Sequence, residues 1–216
     1  MIASFKRCMD LVASTLALVL LSPLLILIAL LIRLYSRGPV LFTQQRIGRD
    51  RKAFRIYKFR SMVDRDPDTI DQIAEGVSVT GRDPRVTRMG RFLRATSLDE
   101  LPQLLNILKG DMSLVGPRPV LPEQMEVVPE AYRRRFDVRP GLTGLAQVRG
   151  RRTLGWIEQL QYDAEYAKRY GIFLDLWLIL MTFYVVVGRK GIYGGAGKNW
   201  REYREELREK EAEKSS

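Results

Sequence analysis

The 216 residues contain no histidine and a single cysteine, Cys8. The first absence removes the commonest general base and zinc ligand, so any chemistry falls to carboxylates, lysine, tyrosine or the lone thiol. The second excludes an intrachain disulfide framework and fits a reducing compartment. Acidic residues are also in short supply: 36 Lys and Arg stand against 25 Asp and Glu, for a formal charge of +11 and a pI of about 10.0. Such a balance suits a polyanionic partner, whether nucleic acid, an anionic membrane face or phosphorylated substrates. No internal repeat is visible. The length fits one compact domain, or one small domain with a membrane segment.

What is present begins with an apolar segment. Residues 11–32 carry no charge over 22 positions, just enough at ~1.5 Å per residue to cross a ~30 Å hydrocarbon core. Lys6 and Arg7 precede it, and Arg33 and Arg37 follow where a signal peptide would have a cleavage site, so it reads as retained. A straight span would put Lys6 and Arg7 outside, against the positive-inside tendency of a basic chain. At Ser22-Pro23, proline removes the hydrogen bond to the Val19 carbonyl. The Ser22 hydroxyl can bond the Leu18 or Val19 carbonyl instead, lowering the cost of a break in lipid. Two topologies follow: a proline-kinked spanning helix, and a re-entrant helix-break-helix with both ends cytoplasmic.

Beyond Gly38-Pro39, Val40-Leu41-Phe42 and the run from Ala53 to Arg60 read as short strands around a basic turn at Arg46 to Asp50. Residues 64–81 are polar and acidic and read as a loop over a site or a solvated connection. Arg82, Arg85, Arg88, Arg91 and Arg94 are spaced by threes, which keeps the last three on one broad helical face. Residues 124–135 read as a charged helical segment, and 156–170 as an amphipathic helix. Residues 172–187 are apolar but short for a span and contain Asp175, which suits an interfacial or packed helix. The tail from 198 to 216 is charged throughout and reads as a solvated helix.

The chemistry concentrates at Asp99 and Glu100. A carboxylate is a competent nucleophile toward phosphorus, giving an acyl-phosphate. Mg²⁺ takes one or two carboxylates plus substrate phosphate oxygens, which suits a site without histidine. The alternative is purely structural: Ser97-Leu98-Asp99-Glu100 matches a capping box, and acidic residues favour a helix first turn anyway. Leu98, Leu101, Leu104, Leu105 and Leu108 give the buried stripe, and Asp99, Gln103 and Asn106 the polar face. The surroundings favour chemistry. Arg94 lies one turn upstream, and Arg118 sits between two prolines, a pre-organised fork for phosphate oxygens. Lys58, Arg60 and Arg151 supply further cations for a doubly charged or diphosphate substrate near a membrane.

Several long motifs together resemble the bacterial sugar transferases, specifically the small monotopic phosphoglycosyl transferases that act on polyprenyl phosphate. They are Phe5-Lys6-Arg7 with the Ser22-Pro23 break, Gln45-Arg46-Ile47-Gly48, and Tyr57-Lys58-Phe59-Arg60-Ser61-Met62. Arg91 through Asp99-Glu100-Leu101-Pro102-Gln103-Leu104 to Gly116-Pro117-Arg118-Pro119 follows, then Arg139-Pro140-Gly141-Leu142-Thr143-Gly144-Leu145-Ala146-Gln147-Val148 and Gly150-Arg151. The resemblance covers residues 4–187. It implies an α+β, mostly α fold: a re-entrant membrane helix over 1–37, a cytoplasmic catalytic domain over 38–190 with short strands and interfacial helices, and a charged tail over 191–216. It implies attack by Asp99 on a UDP-sugar, release of UMP, and transfer of the phospho-sugar to undecaprenyl phosphate through a covalent aspartyl intermediate, the first membrane step of glycoconjugate assembly. Glu100 would ligate Mg²⁺, and Arg94, Arg118, Lys58, Arg60 and Arg151 would bind substrate. The partners implied are one leaflet of a bacterial inner membrane and no nucleic acid, with an oligomer left open. Larger relatives carry four upstream spanning helices that this sequence does not include. Trp177 stands where a basic residue is frequent, and Ser61 where threonine is more usual. The competing reading is a membrane-anchored protein whose charge holds anionic lipid or nucleic acid.

Overall fold

The computed structural model describes residues 2–63, 83–150, 153–188 and 198–215. The acidic loop expected at 64–81, Arg82 and Arg151 lie outside them.

Helix α1 (Ile2–Tyr35) is one element, and it is the one described helix long and apolar enough to cross a membrane. It runs unbroken through Pro23, where the sequence led us to expect an interruption. The reason is local: the carbonyl that proline leaves unpaired, Val19, accepts the Ser22 hydroxyl at 2.8 Å. One stripe of α1 is buried along its length, through Asp10 and Ser14 and then Ile28 and Ile32, while Val19, Leu20, Ile26 and Leu34 face outward. Ala17 and Leu18 pack on a cluster of Ile56, Leu104, Ile107 and Met112. Leu24, Leu25, Ile28 and Ile32 pack on Phe59 and Leu93.

Strands β1 (Leu41–Ile47) and β2 (Ala53–Phe59) form an antiparallel hairpin pairing Leu41 with Phe59 and Ile47 with Ala53. The turn residues Asp50 and Arg51 hold positive φ. The first strand is longer than expected, absorbing Arg46 from the supposed turn. Helix α2 (Arg88–Thr96) is capped by the Thr87 hydroxyl, which accepts from the Gly90 N–H. Gly90 lies so close to Ser61 that a Cβ there would come within 1.8 Å of the Ser61 carbonyl oxygen, so only glycine fits.

The chain reverses at Ser97 (φ 58°) into a 3-10 turn, Leu98–Glu100, before α3 (Gln103–Lys109). The capping box expected here does not form. Ser97 closes α2 in the left-handed region with its N–H on the Arg94 carbonyl and makes no side-chain cap to the turn, while Pro102 separates Asp99 and Glu100 from α3. Strands β3 (Ser113–Val115) and β4 (Gly141–Thr143) pair in parallel, bringing residues 116–119 beside the 139–144 loop. The segment expected as one charged helix is α4 (Pro122–Glu126) followed by a 3-10 stretch, Glu130–Phe136. The remainder is helical: α5 (Leu145–Arg149), α6 (Trp156–Arg169), α7 (Ile172–Val187) and α8 (Trp200–Ser215).

Two placements modify the sequence reading of the C-terminal part. In α7, Leu178 and Asp175 are fully buried, while Phe173, Leu180 and Phe183 point outward. Asp175 pairs with Lys6 of α1 and accepts from the Tyr166 hydroxyl at 2.7 Å. Helix α8 is charged but not simply solvated: Trp200 is buried against Trp156, Val120 and Leu121, with Tyr203 and Leu207 beside it.

Candidate active site

Three elements converge on the 3-10 turn. Lys58 comes from β2, Arg94 from α2, and Arg118 from the loop after β3. Lys58 Nζ donates to Glu100 Oε1 at 2.8 Å, and Arg118 Nη2 donates to the same oxygen at 2.9 Å. Those two cations hold the Glu100 carboxyl well below the usual carboxylate range, against the opposing effect of burial. Glu100 Oε2 keeps no protein partner among the described residues. Arg94 donates from Nε to the Ser61 hydroxyl at 2.8 Å, so serine supplies the same acceptor that threonine would.

Asp99 behaves differently from its neighbour. It is only 8% exposed and accepts no hydrogen bond from the described residues. Burial, and then the adjacent Glu100 charge, push its carboxyl up from 3.8 to about 6 even though Lys58, Arg94 and Arg118 pull it down. One turn therefore holds two carboxyls with opposed environments, a pattern that separates chemical roles. Glu100 is fixed and paired. Asp99 is poorly solvated and undonated, as a carboxylate nucleophile should be.

Two features were not read from the sequence. Arg46, in the Gln45-Arg46-Ile47-Gly48 motif, is half-buried beside Arg118 and Glu100; desolvation and Arg118 lower its pKa to about 10. It donates to Gln44 at 2.7 Å and leaves Nε unpartnered. Its place in the motif was visible, but its reach was not, because the strand register was needed to aim it. Asn106 is the second. Expected on a polar face, it is wholly buried, accepting from the Tyr57 N–H at 2.9 Å and donating to the Arg55 carbonyl at 2.7 Å. That bracket clamps β2 on α3 and so sets the approach of Lys58 to Glu100.

Arg60 does not join the cluster in the way expected. Its Nη2 donates to the Ser36 carbonyl at 2.9 Å and hydroxyl at 2.7 Å, tying the end of α1 to the body. Strand β2 ends at Phe59, so the alternation that would have aligned Arg60 with Lys58 stops one residue short. Ser22 and Pro23 lie on α1 and take no part in the cluster. Lys58, Arg94, Arg118 and Arg46 outnumber Asp99, Glu100 and the nearby Glu123, a surplus of one positive charge. The cluster is suited to a dianion carrying several oxygens, such as a diphosphate.

The sequence also matches known proteins. A bacterial sugar transferase family model matches residues 1–189. A UDP-glucose:undecaprenyl-phosphate glucose-1-phosphate transferase of Klebsiella pneumoniae is 43% identical over 197 residues, covering 88% of this chain and 41% of that protein. An undecaprenyl-phosphate galactose phosphotransferase of Salmonella typhimurium is 38% identical over 198 residues, covering 87% and 41%. The exopolysaccharide production protein ExoY of Rhizobium meliloti is 36% identical over 198 residues, covering 87% and 88%. The chain thus spans about two-fifths of the first two relatives and most of the third. With the family's model matched from the start of α1 to just past α7, the chain belongs to the bacterial sugar transferases.

Proposed function

We propose that the protein transfers a phospho-sugar from a UDP-sugar to a polyprenyl phosphate such as undecaprenyl phosphate, in two displacements on Asp99. The observation that carries this reading is the contrast within one turn: a paired Glu100 beside a desolvated, undonated Asp99 facing a surplus of cations. In the first step an Asp99 oxygen attacks the β-phosphorus, and the bond from that phosphorus to the bridging oxygen breaks. The electron pair leaves with UMP. In the second, an oxygen of the polyprenyl phosphate attacks the same phosphorus, the bond to Asp99 breaks, and the carboxylate is regenerated. Arg94, Arg118 and Lys58 hold the phosphoryl oxygens, and Arg46 adds charge beside Arg118 and Glu100. At neutral pH most Asp99 is ionised, since its pKa of about 6 lies below it.

The donor set also fits Mg²⁺. No group of three metal-ligating side chains occurs among the described residues, but Mg²⁺ takes few carboxylates and keeps water and phosphate oxygens. Glu100 Oε2 is a hard oxygen left open for it. Bound there, the ion would neutralise charge on the departing phosphate.

We further propose that α1 re-enters one leaflet as a single helix kinked at Pro23, the body lying on the cytoplasmic face of the bacterial inner membrane. Supporting this, both ends of α1 are held by the same body. Near its start, Lys6 pairs with Asp175, Arg7 donates to the Leu108 carbonyl at 3.1 Å, and Asp10 accepts from the Leu114 N–H at 3.0 Å. Near its end, Ile32 packs on Phe59 and Ser36 holds Arg60. A straight span would carry one set of these partners across the bilayer. The outward apolar residues of α1 and α7 form the surface that meets lipid, α7 at about 24 Å being too short to cross.

The deciding experiment is a UMP-release screen over a panel of UDP-sugars with undecaprenyl phosphate, using wild type and Asp99→Asn. UMP and a polyprenyl-diphosphate sugar should form only with wild type. Turnover in Asp99→Asn would sink the mechanism.

A further inference from the structure

Behind Arg118 lies a buried ion pair that neither the sequence motifs nor the transfer chemistry uses. Arg135, in the 3-10 stretch, donates from Nη2 to Asp163 of α6 at 2.6 Å, their side chains 3% and 4% exposed. The same Nη2 donates to the Arg118 carbonyl at 2.7 Å. Burial raises the Asp163 carboxyl above its usual value, and Arg135 and then Arg118 pull it back. Arg135 thus holds the Arg118 peptide by its carbonyl, while Asp163 holds Arg135.

A contribution to stability explains this pair poorly. Withdrawing two ions from water costs several kcal/mol each, and an apolar pair of similar volume is often as stable or more so. Here Arg135 Nε and Nη1 and Asp163 Oδ1 have no protein partner, so the network is only partly satisfied. Geometry explains it better. Between Gly116 and Val120, two of the three residues are proline, leaving Arg118 with the only backbone N–H. The flanks of this loop are tied by backbone bonds at Gly116, Pro117 and Val120, which leaves the Arg118 peptide as the part that a side chain must fix.

We propose that Arg135 and Asp163 are positioning residues for Arg118, clamping its peptide so that its guanidinium meets the phosphoryl group of the nucleotide sugar. The proposal rests on the transfer reading, and it extends that reading from the site to the scaffold behind it. Neither residue touches substrate. Their effect runs through the Arg118 backbone, and misplacing such a fork by about 1 Å costs up to about a hundredfold in kcat/KM.

The test uses the full chain in lipid nanodiscs, comparing wild type with the double variant Arg135→Met/Asp163→Leu and the single variant Asp163→Asn. The double variant should keep the wild-type thermal midpoint, because it replaces an ion pair with apolar volume. Its KM for the UDP-sugar should rise about tenfold or more, with a smaller change in kcat, and amide exchange over residues 116–121 should accelerate. A stable double variant with wild-type KM and exchange would overturn the proposal. If the double variant fails to fold, Asp163→Asn decides by the same two readouts, since it keeps the shape and drops the charge. Exchange needs no turnover: a wild type that releases no UMP would refute the transfer reading, while exchange would still judge the clamp.

Discussion

Replacing Asp99 with Asn should abolish transfer and at the same time stabilise the fold. The carboxyl is raised from 3.8 to about 6, a shift of about 2 pH units, worth about 3 kcal/mol at 1.36 kcal/mol per unit. The sign follows from linkage. A raised acid pKa means the folded chain binds the proton more tightly than the unfolded one, so stability falls as pH rises through the interval. The penalty is absent below about 4 and complete above about 6. Asparagine removes the ionisation but leaves a buried amide without donors, which returns about 1–2 kcal/mol of the gain. The net expectation is about 1–2 kcal/mol at pH near 8, or roughly 3–6 °C for a chain of this size. Thermal unfolding followed by tryptophan fluorescence, wild type and variant side by side at several pH values, reads this directly. The gain should shrink to nothing, or reverse, at pH near 4. A variant less stable than wild type near pH 8, or a difference unchanged across that range, would refute the reasoning. It would mean that Lys58, Arg94 and Arg118 stabilise the Asp99 carboxylate more than burial opposes it.

The first half-reaction should fall about tenfold per pH unit below about 6 as Asp99 takes up a proton, measured as UMP release under kcat/KM conditions. Chelation should abolish that release and added Mg²⁺ restore it; activity unaffected by chelator would remove the metal. In a Cys8→Ser background, single cysteines at residues 4 and 40 should label from the same face of sealed vesicles; labelling from opposite faces would restore a spanning helix. Gly90→Ala should lower stability by about 2 kcal/mol or more in the same unfolding assay, because the new Cβ has no room beside the Ser61 carbonyl.

The features legible in the sequence were those written in consecutive residues. The hairpin, the ends of α7, and the gathering of Lys58, Arg94, Asp99, Glu100 and Arg118 came from local pattern and motif. Features requiring a register or a distant partner were hidden. Arg46 needed the strand pairing to reveal where it points, and Arg60 was misjudged because nothing local says that β2 stops at Phe59. The capping box at Ser97 was a valid local signal overridden by the left-handed turn that ends α2. Asn106 looked solvated because its partners belong to β2, and Asp163 meets Arg135 across 28 positions of chain that carry no common period. Trp200 was one aromatic in a charged tail until the cluster behind the Arg118 loop gave it a place.

The pairing of Lys6 with Asp175 bears on the order of synthesis. The two residues are 169 positions apart, so the first helix made is completed by the penultimate one. Domains generally fold from the N-terminus as the chain emerges, but here the first helix cannot seal until α7 has been translated. Until then Lys6 has no counter-charge, and breaking such a buried pair by removing one partner costs about 3–5 kcal/mol. Closure of the body over the start of α1 is thus a late event. A chain stopped short of residue 175 should leave α1 open to protease, whereas the full chain should protect it.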